Sequence, residues 1–135
     1  MRFTLSLLLL WASLGSANAK CISLTTGSEL SLAGKLTHVV YPGPPNYESV
    51  EAGDTPEPTY LLSLKEQICI EDGGQFADLT IMFDTVQLFS TDQTLLGNLK
   101  KLVGRQVTAV GTGFAAHTGH HHEPLVLEVE SLSPQ

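Results

Sequence analysis

One helical period interrupts the alternating apolar segments between residues 29 and 132, and its position restricts the fold. Between residues 91 and 103, Leu95, Leu96, Leu99, Leu102 and Val103 recur at the spacing of one helix face. Ser90 with Gln93 fits a capping box, and Gly104 fits the left-handed residue that closes a helix. Lys100 and Lys101 stand in the last turn, where the helix dipole favours cations. Three alternating segments precede this helix. Residues 29–41 put Leu30, Leu32, Leu36 and Val40 on one parity, together with His38, and Gly34 marks a bend. Residues 59–71 put Tyr60, Leu62, Leu64, Ile68 and Ile70 on one face. Residues 76–89 begin on the parity of Leu79, Ile81 and Phe83 and change to that of Val86 and Leu88, which predicts a bulge near Asp84 and Thr85.

Residues 105–115 and 125–132 alternate again after the helix. Three strands, one helix and two strands is the order of an OB-like five-stranded Greek-key barrel, a mainly β fold with its helix between strands 3 and 4. A flatter α+β sandwich is the alternative.

The N-terminus predicts the compartment. Residues 1–19 combine a basic Arg2, an apolar run from Leu5 to Leu14, and small residues at Ala17 and Ala19. This is the three-part pattern of a secretory signal peptide, too short for a retained membrane span. Cleavage leaves residues 20–135 as a single OB-like domain, periplasmic or secreted and not membrane-embedded. Loss of Arg2 takes the formal charge from −7 to −8, and protonation of all five histidines would reduce that to −3. Such a charge repels phosphate backbones, so no nucleic acid is expected as a partner. Cys21 and Cys69 are the only cysteines, and an even pair in an exported chain reads as a disulfide. Lipidation of Cys21 is the rival reading, but it needs a small residue before the cysteine, where Lys20 stands.

Two segments are unusual. Residues 42–58 hold five of the seven prolines, with Glu48, Glu51, Asp54 and Glu57, and form a long stiff loop. Asn46, Tyr47 and Glu48 at its tip are candidate ligand contacts. Residues 117–123 hold four of the five histidines. His120 and His121 are candidate ligand contacts in this second segment. His38, His117, His120, His122 and Glu123 are candidate ligands for a divalent zinc, copper or nickel ion, since imidazole and carboxylate suit such metals. Three consecutive histidines cannot share one face of an extended chain, so residues from elsewhere must complete a metal shell. A polar, histidine-rich turn is the plain alternative, and His38 on an apolar parity reads first as a core histidine. In an OB barrel these two loops are connections 1–2 and 4–5, which flank one face. Tyr47 is therefore expected near His120 or His121.

The segments PGPPNYESVEAGD and TGHHHEPLVLEV resemble the signature of a small, uncharacterised family of exported bacterial proteins, a domain of unknown function. The resemblance spans Leu32 to Leu132. The family tends to place a small hydroxyl residue after the histidines, where this chain has Glu123. It implies bacterial export and a shared loop pair, and it brings no activity.

No nucleophile elbow, zinc-protease helix, phosphate loop or dinucleotide fingerprint occurs, so an enzyme is not expected. The reading is a monomeric binding or interaction module for a protein or small polar ligand. Its acidic loop suits a cationic partner. The metal-binding protein is the alternative.

Overall fold

The computed structural model describes residues 21–25 and 29–135, and the signal peptide expected at residues 1–19 lies outside them. The described residues form β1 (Cys21–Ser23), β2 (Glu29–Pro42), β3 (Pro56–Glu71), β4 (Phe83–Phe89), α1 (Gln93–Leu102), β5 (Gln106–Ala115) and β6 (Leu125–Pro134). Antiparallel ladders join β2 to β3, β2 to β5, β3 to β4 and β5 to β6. A parallel ladder joins β4 to β6 through Gln87↔Val126, Leu88↔Leu127 and Phe89↔Glu128. The circuit β3-β2-β5-β6-β4 returns to β3, so five strands close into an OB-like barrel.

Closure gives each strand an inner face. Leu36, Leu62, Val86, Leu88, Val107, Leu125 and Leu127 fill the interior and are fully or almost fully buried. Helix α1 connects β4 to β5 and buries Leu99, with Leu96 and Leu102 packed at the edge of the core. Burial of one such leucine contributes roughly 2 kcal/mol. Gly34 lets β2 and β3 approach closely, since a side chain there would meet the backbone carbonyl of Ser63. Among the described residues no helix is long and apolar enough to cross a membrane.

Several local expectations are corrected. The third barrel strand begins at Phe83, not at residue 76. Residues 76–82 form turns, because Asp72 and Asp78 take the local amides: Asp72 accepts from the N–H groups of Gln75, Phe76 and Ala77, and Asp78 from that of Thr80. The irregularity falls at Asp84, next to Thr85, where it is expected, but the extra residues are in β3. Ser63 pairs with Thr85 and Ile68 with Phe83, so four residues of β3 oppose one of β4. The helix cap is Asp92, whose carboxylate accepts from Leu95 N–H at 2.9 Å, and Ser90 supports it by accepting from Asp92 N–H. Gly104 does adopt a left-handed conformation, with φ +88°.

The β2–β3 ladder continues to Pro42↔Pro56, well past the end of the β2–β5 pairing at Glu29–Lys35. Residues 38–42 therefore project beyond the barrel. That explains why His38 and Val40 are exposed in spite of their apolar parity. His38 is not a core histidine. Its ring lies 5.0 Å from that of Tyr60.

Candidate functional site

The projecting hairpin supplies one wall of a rim, and the turn between β5 and β6 supplies the other. Tyr41 and Glu57 are cross-strand partners in the hairpin. The β5–β6 ladder ends at Ala115↔Leu125, and residues 116–124 fold back as a turn closed by Ala116 N–H donating to Pro124 O. This turn lies against the hairpin. Glu57 Oε2 accepts from His122 Nε2 at 2.7 Å, and Glu57 Oε1 accepts from His120 Nδ1 at 2.5 Å. The His122 ring stacks on Tyr41, with centroids 4.1 Å apart and planes 10° from parallel.

Burial alone would raise the Glu57 pKa. Hydrogen bonds from His122 and His120, and their charge, outweigh it and hold the carboxyl below its ordinary range. An ionised carboxylate only accepts, so His120 presents Nδ1–H to it and His122 presents Nε2–H. The His120 side chain is 62 % exposed and that of His122 only 11 %, so His120 faces solvent and His122 belongs to the wall.

Gln87 clamps the turn from beneath. Its Nε2 donates to His120 O at 3.1 Å, and its Oε1 accepts from His122 N–H at 2.7 Å. Tyr41 hydroxyl donates to Glu123 Oε1 at 3.0 Å. Burial, then this bond and the charge of Glu123, push the Tyr41 hydroxyl up to about 12. Burial also raises the Glu123 carboxyl, against the opposing effects of Tyr41 and His122.

The proline loop is ordered by Asp54, a buried residue. Its Oδ1 accepts from Asn46 N–H at 2.9 Å, and its Oδ2 accepts from Glu48 and Ser49 N–H at 2.8 and 2.9 Å. These backbone bonds, that of Ser49 foremost, lower its pKa. Asn46, Tyr47 and Glu48 are held as an exposed tip, with Tyr47 at φ +59°. Tyr47 reaches across to the histidine turn. Its ring lies 6.1 Å from that of His120, edge on. Gly119 makes room for it, since a Cβ at that position would lie 3.0 Å from the tyrosine ring.

The histidines therefore divide. His120 and His122 face Glu57, whereas His117 and His121 turn to the opposite side. His121 Nδ1 accepts from His117 N–H at 3.0 Å, and His117 Nδ1 bonds Ala115 O at 2.9 Å. Phe114 lies edge-on to His121 at 5.2 Å, and Phe76 stacks on His117 at 4.9 Å. Burial, followed by the charges of His117, His120 and His122, lowers the His121 pKa.

The expected metal set does not converge. His38 sits against Tyr60, His117 against Phe76, His120 and His122 on Glu57, and Glu123 on Tyr41. Among the described residues no group of three or more histidine, cysteine, aspartate or glutamate side chains is arranged to hold a metal ion. Of the candidate ligand contacts, Asn46, Tyr47, Glu48 and His120 gather at the rim, while His121 faces the aromatic side. Glu57, Asp54, Tyr41 and Gln87 organise the rim and were not singled out from the sequence. The pairing of Tyr41 with Glu57 follows from hairpin register, the one signal that could have found them.

Fold and rim define a small OB-like barrel with a preassembled two-loop edge. Residues 85–133, from β4 into β6, match a family described as a domain of unknown function (DUF4431). That match contains Gln87 and the whole histidine turn and ends short of the proline loop on its N-terminal side. No curated protein matches the chain.

Proposed function

We propose that this protein is an exported binding module whose recognition surface is the rim built from residues 42–58 and 117–123. The observation that carries this reading is the grip of Glu57 on both His120 and His122. It ties two connections more than sixty residues apart into one rigid edge. Asp54 fixes the exposed tip of Asn46, Tyr47 and Glu48 beside it. A surface ordered before binding loses less entropy on association. The N-terminal pattern of residues 1–19 and the Cys21–Cys69 disulfide support export. The partner is a protein or small polar ligand of cationic character, matched to Glu48, Glu51 and the net negative charge.

The test compares immobilised wild-type protein with a Tyr47→Ala/Glu48→Gln variant in capture from bacterial envelope extract. Both side chains are exposed, so the variant retains the barrel. A partner held by the wild type and lost by the variant supports the rim. Equal capture by both proteins, or none by the wild type, refutes it.

A further inference from the structure

The segment between β3 and β4 carries a surface of a different kind. Phe76, Leu79, Ile81 and Met82 are 61, 54, 47 and 37 % exposed. Scattered exposed apolar residues need no account, but four within seven positions make a patch. Phe76 and Ile81 line a groove of about 220 Å³ with Ile70, Phe83 and Pro124. On its other side, Phe76 lines a second groove of about 400 Å³ with Phe114, His117, Glu71 and Asp72. The rings of Phe76 and Phe114 flank His117 at 4.9 and 5.6 Å and line the same groove as the two acidic residues.

The formal charges carried by this segment have one sign. Residues 71–84 contain no lysine, arginine or histidine and four carboxylates, Glu71, Asp72, Asp78 and Asp84, and the one imidazole in the groove is that of His117. Asp78 and Asp84 are exposed beside the apolar side chains. A lipid surface with anionic headgroups is repelled by such a border. A second copy of this chain would bring the same carboxylates face to face.

We propose that this face docks a cationic amphipathic segment of a protein partner. The apolar side of the segment lies on Phe76, Leu79, Ile81 and Met82, as helices lie in apolar grooves. A lysine or arginine of the segment enters the larger groove. There the faces of Phe76 and Phe114 and the carboxylates of Glu71 and Asp72 receive its charge. The surface meets the rim segments only at His117, whose ring packs on Phe76 and Phe114, whereas Tyr47, His120 and His122 gather around Glu57 and the proline loop.

The test titrates the full chain with a fluorescent Leu/Lys amphipathic peptide of about five helical turns. A Leu/Glu peptide of the same pattern and a scrambled Leu/Lys peptide serve as controls. The Leu/Lys peptide is expected to bind, to outcompete both controls, and to weaken as salt rises from about 0.05 to 0.5 M. The variant Leu79→Ser/Ile81→Ser/Met82→Ser leaves the charge unchanged and is expected to weaken binding by about tenfold or more. Val103→Ser, at the exposed apolar residue that caps the C-terminus of α1, is expected to bind as wild type. Unchanged affinity in the triple variant reduces the effect to charge attraction and overturns the proposal, as does equal binding of the Leu/Glu peptide or no binding at all. Amide shift mapping on the wild-type protein locates the peptide without any variant: perturbations belong at residues 71–82 and 113–117, and perturbations elsewhere overturn the proposal. Peptide titration reads this face and partner capture reads the rim, so either can fail alone.

Discussion

Glu57 and His122, 65 residues apart in the chain, meet at 2.7 Å, and the imidazole is stacked at the same time on Tyr41, the cross-strand neighbour of Glu57. One carboxylate thus joins the hairpin to the histidine turn. Its folded pKa lies below the ordinary 4.5. A group shifted in this direction contributes stability that is present above the unfolded value and is lost as pH falls through the folded one. The melting temperature is therefore expected to drop as pH is lowered below about 4.5, and Glu57→Gln is expected to flatten that dependence. Near neutral pH the same substitution removes the charge from both bonds and turns one acceptor oxygen into an amide donor facing an imidazole N–H, at a cost of about 2 kcal/mol. Calorimetric melts of both proteins across the acid range check the slope and the offset together. Parallel pH profiles would show that Glu57 is not the linking group.

Gln87 serves the same turn from the barrel side. Its parity, between Val86 and Leu88, points it outward, yet it is 9 % exposed because the histidine turn covers it. Gln87→Leu fills the space but leaves His120 O and His122 N–H without their partner. Loss of two side-chain to backbone bonds is expected to cost about 2 kcal/mol in urea unfolding. The histidine resonances of His120 and His122 should also broaden or shift, because the turn that holds them on Glu57 is released.

The disulfide Cys21–Cys69 links β1 to β3, where Cys21 and Cys69 are partners in a parallel ladder of three residue pairs. So short a strand is not stable by pairing alone, and the covalent link holds it. Closing a loop of 48 residues is expected to contribute about 2–4 kcal/mol. A Cys21→Ser/Cys69→Ser variant should unfold at correspondingly lower denaturant. Its amide exchange should rise at Ile22 and Ser23 while the barrel strands stay protected. Uniform loss of protection would instead make β1 part of the cooperative core.

The barrel was legible because its information is local. Period-two patterns in β2, β3, β5 and β6 and the single period in α1 each follow from which side chains must avoid water, and their order admits few closed topologies. The nearness of Tyr47 to His120 followed from that topology alone. The failures have equally local causes. Leu79 and Ile81 alternate like a strand, but the carboxylates of Asp72 and Asp78 divert the backbone into turns, and alternation cannot register that competition. His38 has core parity, but its strand outruns the barrel. The histidine run left a metal site and a plain polar turn both open, because composition shows which residues are present and not which way each ring turns. Glu57 reads in the sequence only as one of four loop carboxylates, since nothing in its own neighbourhood announces a partner 65 residues away.

Asp54 offers the sharpest local test, because one side chain receives three backbone donors. Those donors would otherwise face water or each other along an irregular loop. Asp54→Ala removes the acceptor without touching the barrel, so the strands should keep their protection. Amide exchange at Asn46, Glu48 and Ser49 is then expected to accelerate by about tenfold or more. The carboxyl pKa is lowered by these same bonds, so the wild-type loop should loosen in the same way as pH falls below the ordinary aspartate value of 3.8. The Tyr47 ring, set against Gly119 and edge-on to His120, is expected to lose its fixed orientation in the variant, read as averaged ring resonances. Unchanged exchange at these amides would mean that the prolines alone hold the tip in place.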